Sequence, residues 1–150
     1  MSQVGVVVAD RRQRVLGVDP GEVRIGVALS DPSRTVATAL ETVAAGAGAV
    51  PRLVALAVEH GCDTVVVGLP RALSGRETAS TAAARALADQ IAASGLAVEL
   101  WDERLSSAEA ERVLLASGRR RAQRRQERDR VAAALILQGW LDAHQQPEKA

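Results

Sequence analysis

Two apolar runs do most to constrain this chain. Thr64–Val67 is unbroken and β-branched and ends at Gly68-Leu69-Pro70, and Leu96–Trp101, apolar apart from Glu99, reads as a second buried strand. A continuous run without polar alternation is the pattern of a strand buried on both faces, as in a parallel sheet. Between the two lies Glu77–Ser94, alanine-rich and closed by Gly95, which reads as a helix. Parallel neighbours joined through a helix connect by right-handed crossovers, so the second half of the chain is α/β.

The first half reads differently. Residues 1–13 are a weakly specified lead, an extra strand or a mobile arm. Arg14–Asp19 is a strand with Val15, Leu16 and Val18 apolar. Pro20-Gly21 marks a turn, and Arg24–Ser30 is a second strand ended by Asp31-Pro32. Their short spacing makes them an antiparallel hairpin. Thr35–Ala44 is a third strand, broken by Gly46 and Gly48. Ala49–His60 is an amphipathic helix with Leu53, Leu56 and Ala57 on one stripe, ended by Gly61. Later, Ser106 and Glu109 form a capping box for a helix to Ser117, and Val131–Leu141 is the strongest helical core segment. The order β-β-β-α-β-α-β-α-α gives a mixed five-stranded sheet with strand 2 antiparallel and helices on both faces. One domain, residues 14–142, lies between the lead and a polar, frayed tail, 143–150. A 150-residue domain buries roughly 68–70% of its unfolded surface, enough to fold without disulfide or structural metal.

Composition removes several classes of function. The single cysteine, Cys62, cannot bridge internally and reads as a packing residue in a reducing compartment; a bridge between two copies stays open. His60 and His144 are far apart in sequence, so zinc chemistry and a Cys-His nucleophile have little support. The apolar stretch Val4–Ala9 is short and followed by basic residues, unlike a signal peptide. No stretch approaches the ~20 apolar residues of a membrane span. The expectation is a soluble cytoplasmic protein.

The formal charge of +1 hides an asymmetry. Seven arginines (119, 120, 121, 124, 125, 128 and 130) stand with only Glu127 and Asp129 between residues 119 and 130, so this block carries +5 and the remainder −4. Charge concentrated in this way suits contact with a polyanion, against the plainer reading of a solvated loop and helix start. Arg71 and Arg76, just past Gly68-Leu69-Pro70, are further phosphate-contact candidates, with loop solvation the alternative. Arg24 can reach a phosphate or only a neighbouring strand, and Ser106 reads as a helix cap.

Three acids stand where chemistry is expected. Asp19 closes the first strand, which becomes central, and open α/β sheets bind ligands at such strand ends. Glu103, beside Asp102, follows the last strand. Asp129 opens the final helix, with Ala132, Ala133, Ile136 and Trp140 at +3, +4, +7 and +11, so it shares the buried stripe. Singly, each has a structural explanation: an Asx turn, a surface charge cluster, a helix N-terminal acid. The topology, however, brings all three to one edge. Strands 1 and 5, one strand apart, are about 9–10 Å from each other, a gap that a glutamate curling back can span. Three carboxylates repel one another without cations, and oxygen ligands suit Mg²⁺ or Mn²⁺. Two such ions about 3.5–4 Å apart would activate water and stabilise the leaving oxygen of a phosphodiester.

Four motifs in order carry a resemblance. Val15-Leu16-Gly17-Val18-Asp19-Pro20-Gly21 with Arg24-Ile25-Gly26-Val27-Ala28, Val67-Gly68-Leu69-Pro70, Asp102-Glu103-Arg104-Leu105-Ser106, and Asp129 through Ala132–Leu137 to Leu141 resemble the YqgF (RuvX) family from about residue 14 to 142. The resemblance implies an RNase H-like fold. Its members are described either as nucleases maturing the 5′ end of pre-16S ribosomal RNA or as Holliday-junction resolvases. It implies that Asp19, Glu103 and Asp129 are the metal-binding acids and that products carry a 5′-phosphate and a 3′-hydroxyl. Many RNase H-like nucleases use four acids, whereas three are clear here, with Asp102 an outer-shell candidate.

Two other classes compete. Asp19-x-Gly21 with Gly26 also resembles the first phosphate-binding hairpin of actin-like ATPases, but those use two such domains and no second hairpin is present. A non-catalytic nucleic-acid-binding module would leave the acids unexplained, and with no Phe or Tyr and only Trp101 and Trp140 it is poor in the platforms on which single-stranded bases stack. A four-way DNA junction would favour a homodimer and an rRNA precursor needs only a monomer. The resemblance inclines towards RNA processing.

Overall fold

Val15, Leu16 and Val18 have no exposed surface, because the strand that carries them lies in the middle of the sheet. The structure, a computed structural model, describes residues 13–72, 74–103 and 121–145, with only the helical backbone described over 121–130. Strands β1 (Arg14–Asp19), β2 (Arg24–Ser30) and β3 (Ala37–Ala44) form an antiparallel meander. Helix α1 (Ala49–Glu59) leads to β4 (Cys62–Leu69), and α2 (Ala79–Ala92) leads to β5 (Ala97–Asp102). Helix α3 (Arg121–Ala143) closes the described chain. The sheet order is β3-β2-β1-β4-β5, with β4 parallel to both β1 and β5. This is the expected α/β mixed sheet. The expected helix Ser106–Ser117, the lead before Gln13 and residues 146–150 lie outside the described residues.

Each strand's neighbours account for its pattern. β4 is hydrogen-bonded on both sides and covered on both faces, so Val65–Leu69 is buried throughout. β5 corrects an expectation: it is the edge strand rather than a second buried one, and Leu100 is 38% exposed. The β1–β2 turn is tight at Gly21, where a Cβ would lie 2.2 Å from the Arg24 carbonyl oxygen. β3 starts two residues later than its sequence suggests. The N–H groups of Thr35 and Val36 donate to Asp31 Oδ1 at 2.7 and 3.0 Å, which holds them in a loop.

Helices cover both faces. On one, α1 and α2 pack Leu53, Leu56, Ala88 and Ile91 against Leu16, Val18, Val65 and Val67. On the other, α3 packs Ala133, Ile136, Leu137, Trp140 and Leu141 against Val15, Ala28 and Val66. Gly61 and Gly95 end their helices with φ of +70° and +103°, which glycine adopts without steric cost. α2 begins at Ala79, not Glu77, because Thr78 caps it. The Thr78 hydroxyl accepts from Thr81 N–H and the Thr81 hydroxyl accepts from Thr78 N–H.

Two expectations about the last helix are corrected. It already includes Arg121, so Asp129 lies inside α3 rather than at its start. Arg121, Arg124, Arg125 and Arg128, which precede Asp129, are likewise helical positions rather than residues before the helix. The tail is also tied down where it begins. His144 stacks on Trp140 with ring centroids 4.2 Å apart, and Gln145 Nε2 donates to the Arg34 carbonyl at 2.6 Å. No helix among the described residues is long and apolar enough to cross a membrane.

Candidate active site

Strand alternation decides which acids share a face. Val15, Gly17 and Asp19 alternate on β1, and Val15 belongs to the cluster under α3, so Asp19 stands on the α3 face. Its ladder partner across β2 is Gly26, and Gly17 pairs with Ala28, another residue under α3. Arg24, two residues from Gly26, is on that face too. On the other side of β1, Val18 pairs with Val67, so Asp19 and Gly68 come next, side by side at the strand ends.

Gly68 pairs with Trp101 on β5, and Leu69 with Asp102. Asp102 therefore alternates to the α1–α2 face. Glu103 comes back to the α3 face and lies over β4. A Cβ on Gly68 would be 2.8 Å from Glu103 Oε2 and 3.0 Å from its Cγ. Glu103 Oε2 is itself buried. The gap anticipated between the first and last strands is thus bridged from β5, over a residue with no side chain, towards β1.

The descent of α3 sets the third position. Ala133 and Leu137 sit directly over Gly17, and Ile136 reaches Gly68. Further along, Gln138 binds the start of β3: its Oε1 accepts from Ala37 N–H at 2.8 Å and its Nε2 donates to the Thr35 carbonyl at 2.9 Å. The C-terminal half of α3 therefore runs away from the Asp19 end, and its N-terminal half runs towards it. Residue 129 is one turn before Ala133, about 6 Å along the axis. Asp19 is two residues beyond Gly17, about 6.6 Å along the strand. The backbone positions of the two acids advance together.

The outlying cations divide. Arg71 is half-buried and approaches Glu77 Oε2 at 3.6 Å, while its buried Nε has no hydrogen-bond partner. Glu77 also binds Arg85, at 2.6 Å to Oε2 and 3.2 Å to Oε1. Arg85, first, holds the Glu77 carboxyl below the usual carboxylate range, and Glu77 in turn raises Arg85. Arg71 is thus held in place beside the end of β4, and Arg76 is exposed. Arg119 and Arg120 lie outside the described residues, as do the side chains of Arg121, Arg124 and Arg125. Sequence reasoning passed over Thr81, whose buried hydroxyl donates to the Pro70 carbonyl and ties α2 to the end of β4. It also gave no role to Gly17 or Gly68, although a glycine inside a β-branched strand is a signal of close approach.

Among the described residues no group of three His, Cys, Asp or Glu side chains is placed to hold a metal ion. Asp129, expected to complete the set, has its side chain outside that description. The chemistry of the donors nonetheless fits: carboxylate oxygens are what Mg²⁺ and Mn²⁺ take, and Gly68 leaves the space in which Glu103 lies.

Comparison with known proteins gives the same outline. The family model described as RuvX, Holliday junction resolvase, matches residues 13–143. A protein of Pelotomaculum thermopropionicum named "putative pre-16S rRNA nuclease" is 42% identical over 140 residues, covering 91% of each chain. One of the same name from Myxococcus xanthus is 45% identical over 138 residues, covering 90% of this chain and 91% of the other. Another from Clavibacter sepedonicus is 48% identical over 131 residues, covering 85% and 81%. Among solved structures, T. thermophilus RuvC in complex with a Holliday junction substrate superposes with a TM-score of 0.54 at 16% identity, over 87% of this chain and 94% of that one. At that identity the likeness shows the fold, which is RNase H-like.

Proposed function

This chain belongs to the RuvX family, and from that premise we propose that it is a divalent-metal-dependent nuclease, a hydrolase of phosphodiester bonds, that processes the 5′ end of pre-16S rRNA. The observation that carries the reading is Glu103 lying across Gly68 towards the strand that ends in Asp19. In a structural domain an acid following an edge strand would turn to solvent.

Asp19, Glu103 and Asp129 are the residues we assign to hold two Mg²⁺ or Mn²⁺ ions. When bound, the metals supply an activated water and charge stabilisation at the scissile phosphate. The chain's own groups do the remainder. The three carboxylates fix the point of attack at the end of β1 and repel a phosphate when no cation is present. Arg71, braced by Glu77, and Arg76 flank that point from the end of β4. Arg121, Arg124 and Arg125 bring phosphate-binding charge along the start of α3, and Arg119 and Arg120 add to that charge in the sequence just before it. The products carry a 5′-phosphate and a 3′-hydroxyl. An rRNA precursor places this work in the cytoplasm and needs only a monomer.

The second reading is cleavage of a four-way DNA junction, favoured by the description of the family model. It calls for a homodimer with two sites facing one junction. Competition between a pre-16S RNA fragment and a junction, with oligomeric state measured in the same buffer, separates the two. Preferential cleavage of the RNA by a monomer supports processing, and preferential junction cleavage by a dimer supports resolution. No metal-dependent cleavage of either overturns the nuclease assignment.

A further inference from the structure

We propose that Gly68 is a positioning residue for the metal site, the missing side chain that lets Glu103 lean across β4. This inference rests on Glu103 being a metal ligand. A Cβ at Gly68 would meet three atoms: Ile136 Cδ1 at 2.6 Å, Glu103 Oε2 at 2.8 Å and Glu103 Cγ at 3.0 Å. All three belong to side chains, and two are side-chain ends that can swing. The contrast with Gly17 is informative, because a Cβ there would meet Leu137 Cβ at 2.7 Å and the Ala133 carbonyl oxygen at 3.2 Å, neither of which moves without the helix. A methyl at Gly68 can therefore be accommodated by the fold, and what yields is the carboxylate.

The direction of that displacement follows from the sheet. Gly68 lies between Trp101 on β5 and the position beside Asp19 on β1. Glu103 reaches over it from the β5 side. A methyl in this gap pushes Oε2 away from β1, so the two carboxylates no longer converge. Misplacement of a metal ligand, like loss of the groups that orient one, costs about 10–100-fold in metal affinity. Gly68 thus sets the spacing between two acids although it carries no chemistry.

The test uses Mn²⁺ binding to the purified full-length protein, read by the loss of the free-ion EPR signal, with thermal unfolding measured alongside. Gly68→Ala is expected to fold and to bind Mn²⁺ about tenfold or more weakly. Ile136→Val removes Cδ1 and relieves the other collision, so Gly68→Ala with Ile136→Val should regain thermal stability without regaining affinity. On a Glu103→Gln background Gly68→Ala should cost no further affinity, since the ligand it displaces is already gone. If Gly68→Ala alone is too unstable to measure, the double variant is compared with Ile136→Val. Unchanged Mn²⁺ affinity in a folded Gly68→Ala protein would overturn the proposal. So would full recovery of affinity by Ile136→Val, or an equal loss on the Glu103→Gln background. Wild-type Mn²⁺ affinity in Glu103→Gln itself is a different failure: it removes Glu103 as a ligand.

Discussion

Gly17 and Leu137 meet with no room between them, since a Cβ on Gly17 would lie 2.7 Å from Leu137 Cβ. This contact fixes the height of α3 over the strand that ends in Asp19, and residue 129 is two turns up the same helix. Gly17→Ala is expected to cost about 1–3 kcal/mol by overpacking. It should also lower turnover at a temperature where the variant is fully folded, because lifting α3 moves the backbone that carries Asp129, a proposed metal ligand. Denaturant unfolding and single-turnover cleavage check the two effects. A destabilised variant with wild-type turnover would show that the height of α3 is structural only.

The acids themselves give the sharpest comparison. Asp19→Asn and Asp129→Asn should each reduce metal-dependent cleavage by about 10²–10³-fold or more, the scale on which a preorganised charge-stabilising group acts. Metal-free stability should hold or rise, because the proposed site would lose one of its three like charges. Asp102 alternates to the far face of the sheet, so Asp102→Asn should retain activity where Glu103→Gln loses it. The reverse pattern in that pair would transfer the ligand role to Asp102.

How much of this was legible in the sequence depended on the range of the interaction. β4 was readable because a strand paired on both sides and covered on both faces needs a continuous apolar run. Asp19 was readable because strand order alone puts the end of β1 in the middle of the sheet. The edge place of β5 was signalled only by Glu99, the one charge in Leu96–Trp101, which is exposed and which a strand buried on both faces would not carry. The arginine block concealed the start of α3: Gly118 and the dense charge suggest a loop, yet arginine is a good helix former and the buried half of α3 draws the rest into register. Gly68 could be read as a strand glycine, but what approaches it is a residue from another strand, and only the tertiary structure supplies that.

Cys62 begins β4 and is buried, and its thiol is pushed up to about 11, chiefly by desolvation. The thiolate is the reactive species, so at pH 8 almost none is present in the folded protein. The native protein is expected to react with a thiol reagent only as fast as it opens, and completely once denatured. It should run as a single unbridged chain on a non-reducing gel. Rapid native labelling, or a covalent dimer, would show that Cys62 reaches the surface.

Asp31 organises the turn between β2 and β3. It accepts from Ser33 Oγ at 2.6 Å and from the N–H groups of Thr35 and Val36. These bonds, the one from Ser33 first, lower its pKa from 3.8 to about 2. A depressed carboxyl pKa contributes stability that is fully present above the unfolded value, near 4, and is lost as pH falls through the folded value, near 2. These bonds are exposed and solvent screens them, so Asp31→Ala should destabilise by about 1 kcal/mol or less at pH 7. The difference from wild type should narrow between pH 4 and pH 2. A gap that stays constant across that range would mean the ionised form adds nothing to the turn.

The arginines of α3 carry the substrate prediction. Arg121, Arg124, Arg125 and Arg128 are spaced i, i+3, i+4 and i+7, so their positions form one stripe along the first two turns of the helix. That stripe leads to the turn holding Asp129. Each phosphate neutralised by an arginine releases condensed counterion, giving a slope of log affinity against log salt of about −0.9 per contact on duplex DNA and about −0.7 on single strands. Replacing Arg121, Arg124 and Arg125 together by alanine keeps helix propensity and should shallow the slope by up to about 2.7 on duplex or about 2.1 on single strands. Binding should weaken alike on every sequence, because phosphate contacts carry no base information. Turnover at saturating substrate should change little, since the three acids are untouched. The alternative, a solvated helix face, predicts an unchanged slope. Wild-type affinity and slope at low salt in the triple variant would remove the stripe from the binding surface and leave Arg71 and Arg76 as the phosphate contacts to test.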